Sequence, residues 1–428
     1  MSRWLFANEP QGHYPSSWYA QTCEGLAHFD PLRGEAKAEL CVIGAGFTGL
    51  SAALHAALSG MSVIVLDAHR VGWGASGRNG GQVGRGWNWD LQKLTAKFGR
   101  GEAEHFERLA IKARQMTLDL MAQHAPDAQF QAGLLAASFA QAPRDQPRVL
   151  KTLNGLGHTL SPLDANQMAG TLGTKAYQSG VLDTTSGYCN PLAYAFGLAR
   201  ACVAAGVVFH ERSTVHKIAP GMVQTDAGRV TARFTLNATN GYGAHLTRKT
   251  AARVLPINNY MAATEPLGLS APITRPVAVF DDKFVLNYFW QTQDGRLIYG
   301  GGESYGRRFP RDIAARVRKN LMGIYPDLSD VTFTHTWGGT LAVTATRLPY
   351  VADLGDGLFT SGGYSGHGLV LGSFCGALCV DAMLGKRDDF DCVGRLPTPA
   401  LPGGSVFGGA ITSAAMRWMA LKDWVRRN

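Results

Sequence analysis

Apolar residues recur with two different periods along this chain, and the changes between them outline its elements. Residues 38–43 form an apolar run ending in glycine, and from Thr48 to Ser59 the residues Leu50, Ala53, Leu54, Ala57 and Leu58 keep the spacing of one helical face. Gly60 stops that helix, and residues 62–67 make a second apolar run closing on Asp67. Strand, helix and strand within roughly thirty residues predict a βαβ unit, and hence a parallel sheet with helices on its faces. The pattern then predicts mainly helix over 91–170, with 91–97, 103–124 and 144–156 as the candidates. Sheet character begins near Gly180. Asn190 followed by Pro191 predicts an N-cap with proline in the first turn, opening a helix through Ala204. Residues 207–210, 214–218, 223–225 and 230–234 alternate as strands do. From Val254 to Gly302 aromatic and β-branched residues dominate, as in an antiparallel sheet that walls a pocket. Residues 1–35 show no period and are expected to lie as an extended arm on the body. No internal repeat is visible.

Composition narrows the classes. A chain of 428 residues exceeds one hydrophobic core, so two domains are expected. Hydrophobic residues at 46% against 17% charged place it among globular rather than disordered chains. The net charge of +9 is carried by scattered residues, with no Lys/Arg block before the C-terminus. No nucleic-acid partner is therefore expected, and the charge reads as a basic surface with a site that admits anions. The 7 cysteines include no CxxC pair, which argues against a disulfide framework and structural zinc, so no metal is expected. Cys375 and Cys379 share a helix face, but two thiolates alone make a poor metal site. No window approaches the roughly 20 apolar residues of a membrane span, and the N-terminus lacks a signal pattern. A cytoplasmic protein with reduced thiols and no transmembrane segment is expected.

The chemistry is signalled by glycine. Gly44-Ala45-Gly46-Phe47-Thr48-Gly49 is a GxGxxG sequence placed between strand and helix. Its first glycine permits a tight turn, its second lets backbone N–H groups approach a pyrophosphate, and its third packs helix on strand. Asp67, followed by Ala68, ends the second strand where a carboxylate accepts hydrogen bonds from a ribose. Three later stretches favour FAD over NAD, because a flavin is gripped along its whole length. The first, residues 71–82, contributes Gly74, Ala75, Ser76, Arg78, Asn79, Gly80, Gly81 and Gln82. The second, residues 234–242, is a strand and turn with Thr239 and Gly241. The third, residues 358–369, is a strand, turn and helix start with Gly363, Tyr364, Gly366, His367, Gly368 and Leu369. A helix N-terminus aimed at the flavin pyrimidine stabilises the negative charge that builds there on reduction.

The order GAGFTG, GWGASGRNGGQ, NATNGY, WGGT with a downstream RLP, then GGYSGHG resembles the D-amino-acid-oxidase superfamily of flavoproteins. It is most similar to the branch typified by gamma-glutamylputrescine oxidase. The likeness runs over nearly the whole chain, including Pro402-Gly403-Gly404 and the basic tail. It implies an α/β (α+β) architecture, with a Rossmann-like FAD-binding domain of the D-amino-acid-oxidase type and a second, antiparallel-sheet substrate domain. The expected division is an arm over 1–35, an FAD-binding domain over 36–90, 172–244 and 330–400, a substrate domain over 91–171 and 245–329, and a basic C-terminal helix over 401–428. The resemblance also implies that Val215 meets the adenine through its backbone, and that Trp337, Gly339 and Arg347 line the cofactor's inner side. Two departures matter. Sarcosine-oxidase relatives end the GHG loop with a carboxylate-binding lysine where this chain has Val370. They also attach FAD to a cysteine that residues 337–359 lack. Non-covalent FAD is therefore expected.

The implied reaction is hydride transfer from the α-carbon of a neutral amine to flavin N5. Imine hydrolysis then gives an aldehyde or keto acid plus ammonia, and O2 is reduced to H2O2. No dedicated base is required, and the catalytic residues stay unassigned. Tyr260, Tyr288, Trp290 and Glu303, on the second sheet, are the candidate substrate contacts: aromatic rings cage an amine, and a carboxylate attracts its cation. For His367 a structural or ring-contacting role is expected. A dehydrogenase using a quinone acceptor, and a flavin-binding protein without catalysis, remain as alternatives.

Overall fold

The computed structural model describes residues 4–283 and 285–401. The basic C-terminal helix expected over 401–428, with Pro402-Gly403-Gly404, lies outside the described residues apart from Leu401.

The predicted βαβ unit is the nucleus of the first sheet. Gly34–Ile43 pairs in parallel with Val63–Leu66 on one side and with Gly228–Asn237 on the other. Val208–His210 and Leu358–Gly362 extend the parallel set, and Tyr350–Gly355 adds an antiparallel edge. The four residues of Val63–Leu66 are all buried, as a strand covered on both faces requires. Phe47–Leu58, Pro191–Ala204 and Gly368–Met383 pack together against this sheet. The last is apolar nearly all round and buried along most of its length. Asn190 caps Pro191–Ala204 by accepting from the N–H groups of Leu192 and Ala193.

Among the described residues the second sheet has nine strands and is antiparallel except where Ala278–Asp281 pairs with Gln131–Ser138. Leu255–Thr264 lies between Phe333–Val343 and Leu297–Ser304, and Tyr288–Gln291 follows.

Several expectations are corrected. Within 91–170, read as mainly helical, Gln131–Ser138 and Leu160–Asp164 are strands, because both pair with Ser179–Tyr188. Sheet membership also crosses the expected domain boundaries. Ser179–Tyr188 and Phe333–Val343 fall in segments assigned to the FAD-binding domain, yet both hydrogen-bond within the second sheet. Conversely, Arg100–His124, assigned to the substrate domain, packs on Pro191–Ala204 and Gly368–Met383. Its buried Phe106, Leu109, Ala110 and Ala113 join the main core there. Among the described residues of the N-terminal arm, Trp18–Thr22 is a short helix, and the rest runs over the body without helix or strand until Gly34–Ile43 begins. Among the described residues no helix is long and apolar enough to cross a membrane, and no group of His, Cys, Asp or Glu is arranged to hold a metal ion.

Candidate active site

The first glycine turn is built as its sequence requires. Gly44 has φ of 106°, and an added Cβ there would meet the Ala238 carbonyl at 2.9 Å. At Gly49 an added Cβ would sit 1.9 Å from the Gly44 carbonyl oxygen, so only glycine lets the helix lie this close to the strand. The Phe47 N–H donates to Ser76 Oγ at 3.0 Å, which joins the helix start to the second glycine-rich stretch. Asp67 holds the turn from the other side. Its carboxylate accepts the Ala45 N–H at 2.8 Å and the His69 N–H at 2.7 Å. Burial outweighs those two donors and pushes its carboxyl up to about 6.

The late glycine turn meets the early one. Thr48 Oγ1 and Tyr364 OH are 2.7 Å apart, and Tyr364 OH is 2.8 Å from Ser361 Oγ. Asn240, at φ of 51°, accepts the Gly363 N–H at 2.9 Å, which ties the middle stretch to the late one. The turns therefore surround a single cavity of about 1260 Å3, larger than the roughly 300–1,000 Å3 of ordinary ligand pockets.

Most of the expected cofactor contacts line this cavity. Gly44 through Thr48, Asp67, Ala68, Gly74 to Ser76, Arg78 to Gly80 and Gln82 do so. So do Val215, Thr239, Gly339, Arg347, Tyr364 and Gly366 to Leu369. Five others stand behind the wall. Gly49 packs on the strand, and Gly81 lies against the Cys189 carbonyl. Gly363 is the donor to Asn240, and Gly241 packs against Pro256 and Ala342. Trp337 is buried and donates from Nε1 to the Arg78 carbonyl at 3.0 Å, so it fixes the backbone of a lining residue.

Of the four candidate substrate contacts, Tyr288 and Glu303 line the cavity and Tyr260 and Trp290 do not. Tyr260 follows the lining residue Asn259 on one strand, so the pleat sends its side chain to the other face, where its hydroxyl is 2.5 Å from Ser304 Oγ. Trp290 is enclosed by Trp18 and Tyr188, and its Nε1 donates to the Gly80 carbonyl at 2.9 Å. The Tyr288 hydroxyl donates to Asn259 Oδ1. Glu303 accepts from the Tyr305 hydroxyl at 2.7 Å. Burial raises its carboxyl above the ordinary value against the opposing pull of Tyr305 and Arg347. His367 is pushed down to about 4 by burial and then by Arg347, while its ring bonds the Gly86 backbone. It is neutral near pH 7.

Sequence reasoning missed Trp73, Arg85, Asn88 and Tyr242 in the wall. Arg85 directly follows the second glycine-rich stretch between Gly84 and Gly86, and that setting was the available signal. It makes no ion pair among the described residues, whereas the neighbouring Arg114 is matched by Asp183 at 3.2 Å. Apolar side chains of Leu91, Leu134, Val149 and Val181 line the same cavity.

These features fit a dinucleotide. The N-terminus of Phe47–Leu58 opens into the cavity where an anion gains from its N–H groups. An added Cβ at Gly46 would lie 2.7 Å from Ser76 Oγ, so no side chain fills that approach. One terminal nitrogen of the buried Arg78 has no hydrogen-bond partner among the described residues.

Comparison with known proteins agrees. The model of the DAO family, described as FAD dependent oxidoreductase, matches residues 39–382. The chain is 38% identical over 416 residues to a probable oxidoreductase OrdL of Rhizobium meliloti, covering 95% of this chain and 97% of the relative. It is 31% identical over 419 residues to gamma-glutamylputrescine oxidoreductase of Escherichia coli, covering 96% and 98%. Among solved structures, glycine oxidase from Geobacillus kaustophilus superposes with a TM-score of 0.68 at 18% identity, over 82% of this chain and 95% of that one.

Proposed function

The chain belongs to the DAO family of FAD-dependent oxidoreductases, and from that premise we propose that it oxidises the carbon–nitrogen bond of a carboxylate-bearing amine, similar to gamma-glutamylputrescine, with O2 as the electron acceptor. The observation that carries this reading is one cavity whose wall holds the dinucleotide turns together with Tyr288, Glu303 and Arg85. Bound FAD supplies the two-electron oxidation that no side chain of the wall performs. The residues of this chain supply position and charge. Glu303 attracts the ammonium form of the substrate, and the Tyr288 ring, held through its hydroxyl to Asn259, covers the amine from water. Arg85 is the counter-charge for the substrate carboxylate, and the apolar side chains of Leu91, Leu134, Val149 and Val181 suit an aliphatic chain. Asp67 takes a ribose, Val215 the adenine, and the helix start at Phe47 the pyrophosphate. Among the described residues lining the cavity there is no cysteine, which supports FAD held without a thioether bond.

In balance, an amine R–CH2–NH2 with O2 and water gives R–CHO, ammonia and H2O2. Anaerobic addition of substrate to the yellow protein is expected to bleach its absorbance near ~450 nm, as reduction of a flavin does. Air is then expected to release one H2O2 per aldehyde. Gamma-glutamylputrescine, putrescine, glycine and D- and L-amino acids form the panel. An Arg85→Met variant is expected to raise KM about 10–100-fold for the carboxylated amine, the worth of one charged hydrogen bond. Bleaching followed by reoxidation with a quinone but not with O2 overturns the acceptor. The absence of bleaching by any amine overturns the enzyme reading.

A further inference from the structure

The N-terminal arm is hydrogen-bonded at several points to the residues around the dinucleotide end of the cavity. It precedes residue 39, where the match to the family model begins. Leu5 lines the cavity together with Asp67, Ala68, Ser213 and Val215. His69 is held on both ring nitrogens by the arm: its Nδ1 accepts the Gly12 N–H at 3.2 Å, so its Nε2 carries the proton donated to the Leu5 carbonyl at 2.8 Å. Gln11 Nε2 donates to the Ala68 carbonyl at 2.8 Å, Trp73 Nε1 to the His13 carbonyl at 2.8 Å, and the Tyr14 hydroxyl to the Val71 carbonyl at 2.7 Å. The arm is also pinned to the second sheet's side of the molecule. Asn8 accepts the Phe309 N–H at 2.8 Å and donates to the Arg307 carbonyl at 3.1 Å, both in the loop that leaves the second sheet.

The strongest of these contacts falls on a residue of the cavity wall. Glu9 accepts from Arg78 Nη1 at 2.9 Å, with the Arg78 side chain 1% exposed. The Arg78 Nε donates to the Trp73 carbonyl at 2.6 Å and Nη1 also reaches the Gly338 carbonyl at 3.1 Å, which leaves Nη2 as the nitrogen without a partner among the described residues. The guanidinium lies 4.3 Å from the Trp73 ring, and that ring stacks on His69 at 3.5 Å. Removing the partner of a buried charge is strongly destabilising to the geometry it holds.

We infer that residues 4–14 are part of the cofactor site: a strap across the adenosine end of the cavity, in which Glu9 is a positioning residue that presents Arg78 to the dinucleotide. The inference rests on FAD as the occupant. FAD leaves or enters past this end only when the strap lifts, so the strap governs the exchange rate of a cofactor held without a covalent bond.

The test measures FAD release from holoenzyme, followed by the rise of free-flavin fluorescence on dilution. Four proteins are compared: the parent, Glu9→Gln, Glu9→Asp, and a chain with residues 2–14 removed. Release is expected to quicken at least tenfold in the shortened chain and several-fold in Glu9→Gln, with Glu9→Asp returning towards the parent. The melting temperature of the apoprotein should fall less than that of the holoprotein. The idea is overturned by release rates within twofold of the parent, or by equal losses of melting temperature with and without FAD, which mark a merely structural segment. If the shortened chain does not fold, the Glu9→Gln and Glu9→Asp pair decides. A parent protein that neither retains nor rebinds FAD removes the dinucleotide reading itself, whereas a yellow parent with unchanged release removes only the strap.

Discussion

Glu303 is a carboxylate whose surroundings work against its charge. Burial lifts its carboxyl above the ordinary value of about 4.3, and the Tyr305 hydroxyl and Arg347 oppose that lift without cancelling it. A folded state with the raised value binds the proton more readily than the unfolded chain does. The stability this contributes is full below the unfolded value and is lost as pH rises through the folded one. Glu303→Gln, uncharged at every pH, is therefore expected to melt above the parent at pH 7–8. The gain should shrink as the pH falls towards about 4, where the parent is protonated in both states. The same substitution removes the partner of the substrate ammonium, so kcat/KM is expected to drop about tenfold or more, the worth of a charged hydrogen bond. A melting difference independent of pH counts against the assignment. Single residues were also where the sequence was least legible on the second sheet. Tyr288 and Trp290 share a short strand and an aromatic character, yet one reaches the cavity while the other is enclosed by Trp18 and Tyr188. Burial by a distant segment such as the arm leaves no mark on the local pattern.

Elements were legible where local rules coincide with tertiary need. The helix opened by Asn190-Pro191 has its cap, proline and buried face in agreement, and it ends at Ala204 as its spacing predicts. Gln131–Ser138 shows the opposite case. Ala and Leu favour a helix, and the segment is a strand because Ser179–Tyr188 and Ala278–Asp281 offer pairing on both sides. The glycine turn is legible because its constraint is geometric, and that makes it testable as an element. In Gly49→Ala the new methyl group would lie 1.9 Å from the Gly44 carbonyl, an atom of rigid backbone. The helix start has to move away from the strand, and the donors aimed at the pyrophosphate move with it. Overpacking of this kind costs about 1–3 kcal/mol of stability. FAD affinity is expected to fall by two orders of magnitude or so, since misaligned charged hydrogen bonds are each worth about 1.5–3 kcal/mol. Equilibrium titration of the apoprotein with FAD measures this, with far-UV circular dichroism showing that the fold persists. Unimpaired titration would place the pyrophosphate elsewhere.

The two sheets are joined through the cavity, and this sets how the whole molecule responds to its cofactor. Strands of the second sheet supply Asn259, Tyr288, Glu303 and Gly339 to the same wall that the first sheet lines with Gly44, Asp67 and Ala238. The linkage runs through packed elements as well as through the cavity, because Arg100–His124 packs onto helices of the first sheet while the strand after it pairs in the second. A ligand seated in such a place stabilises both layers at once. At a free FAD concentration of about 100 times Kd, binding adds roughly 2.7 kcal/mol to the native state. Unfolding entropy of about 2.1 cal/mol/K per residue gives roughly 0.9 kcal/mol/K for 428 residues, so the melting temperature should rise by about 3 °C. Calorimetry of apoprotein and holoprotein is expected to show that rise in a single transition that includes the second sheet. If two transitions appear and FAD moves only one of them, the dinucleotide is held by the first sheet alone. The proposed amine site would then lose the shared wall on which its geometry depends.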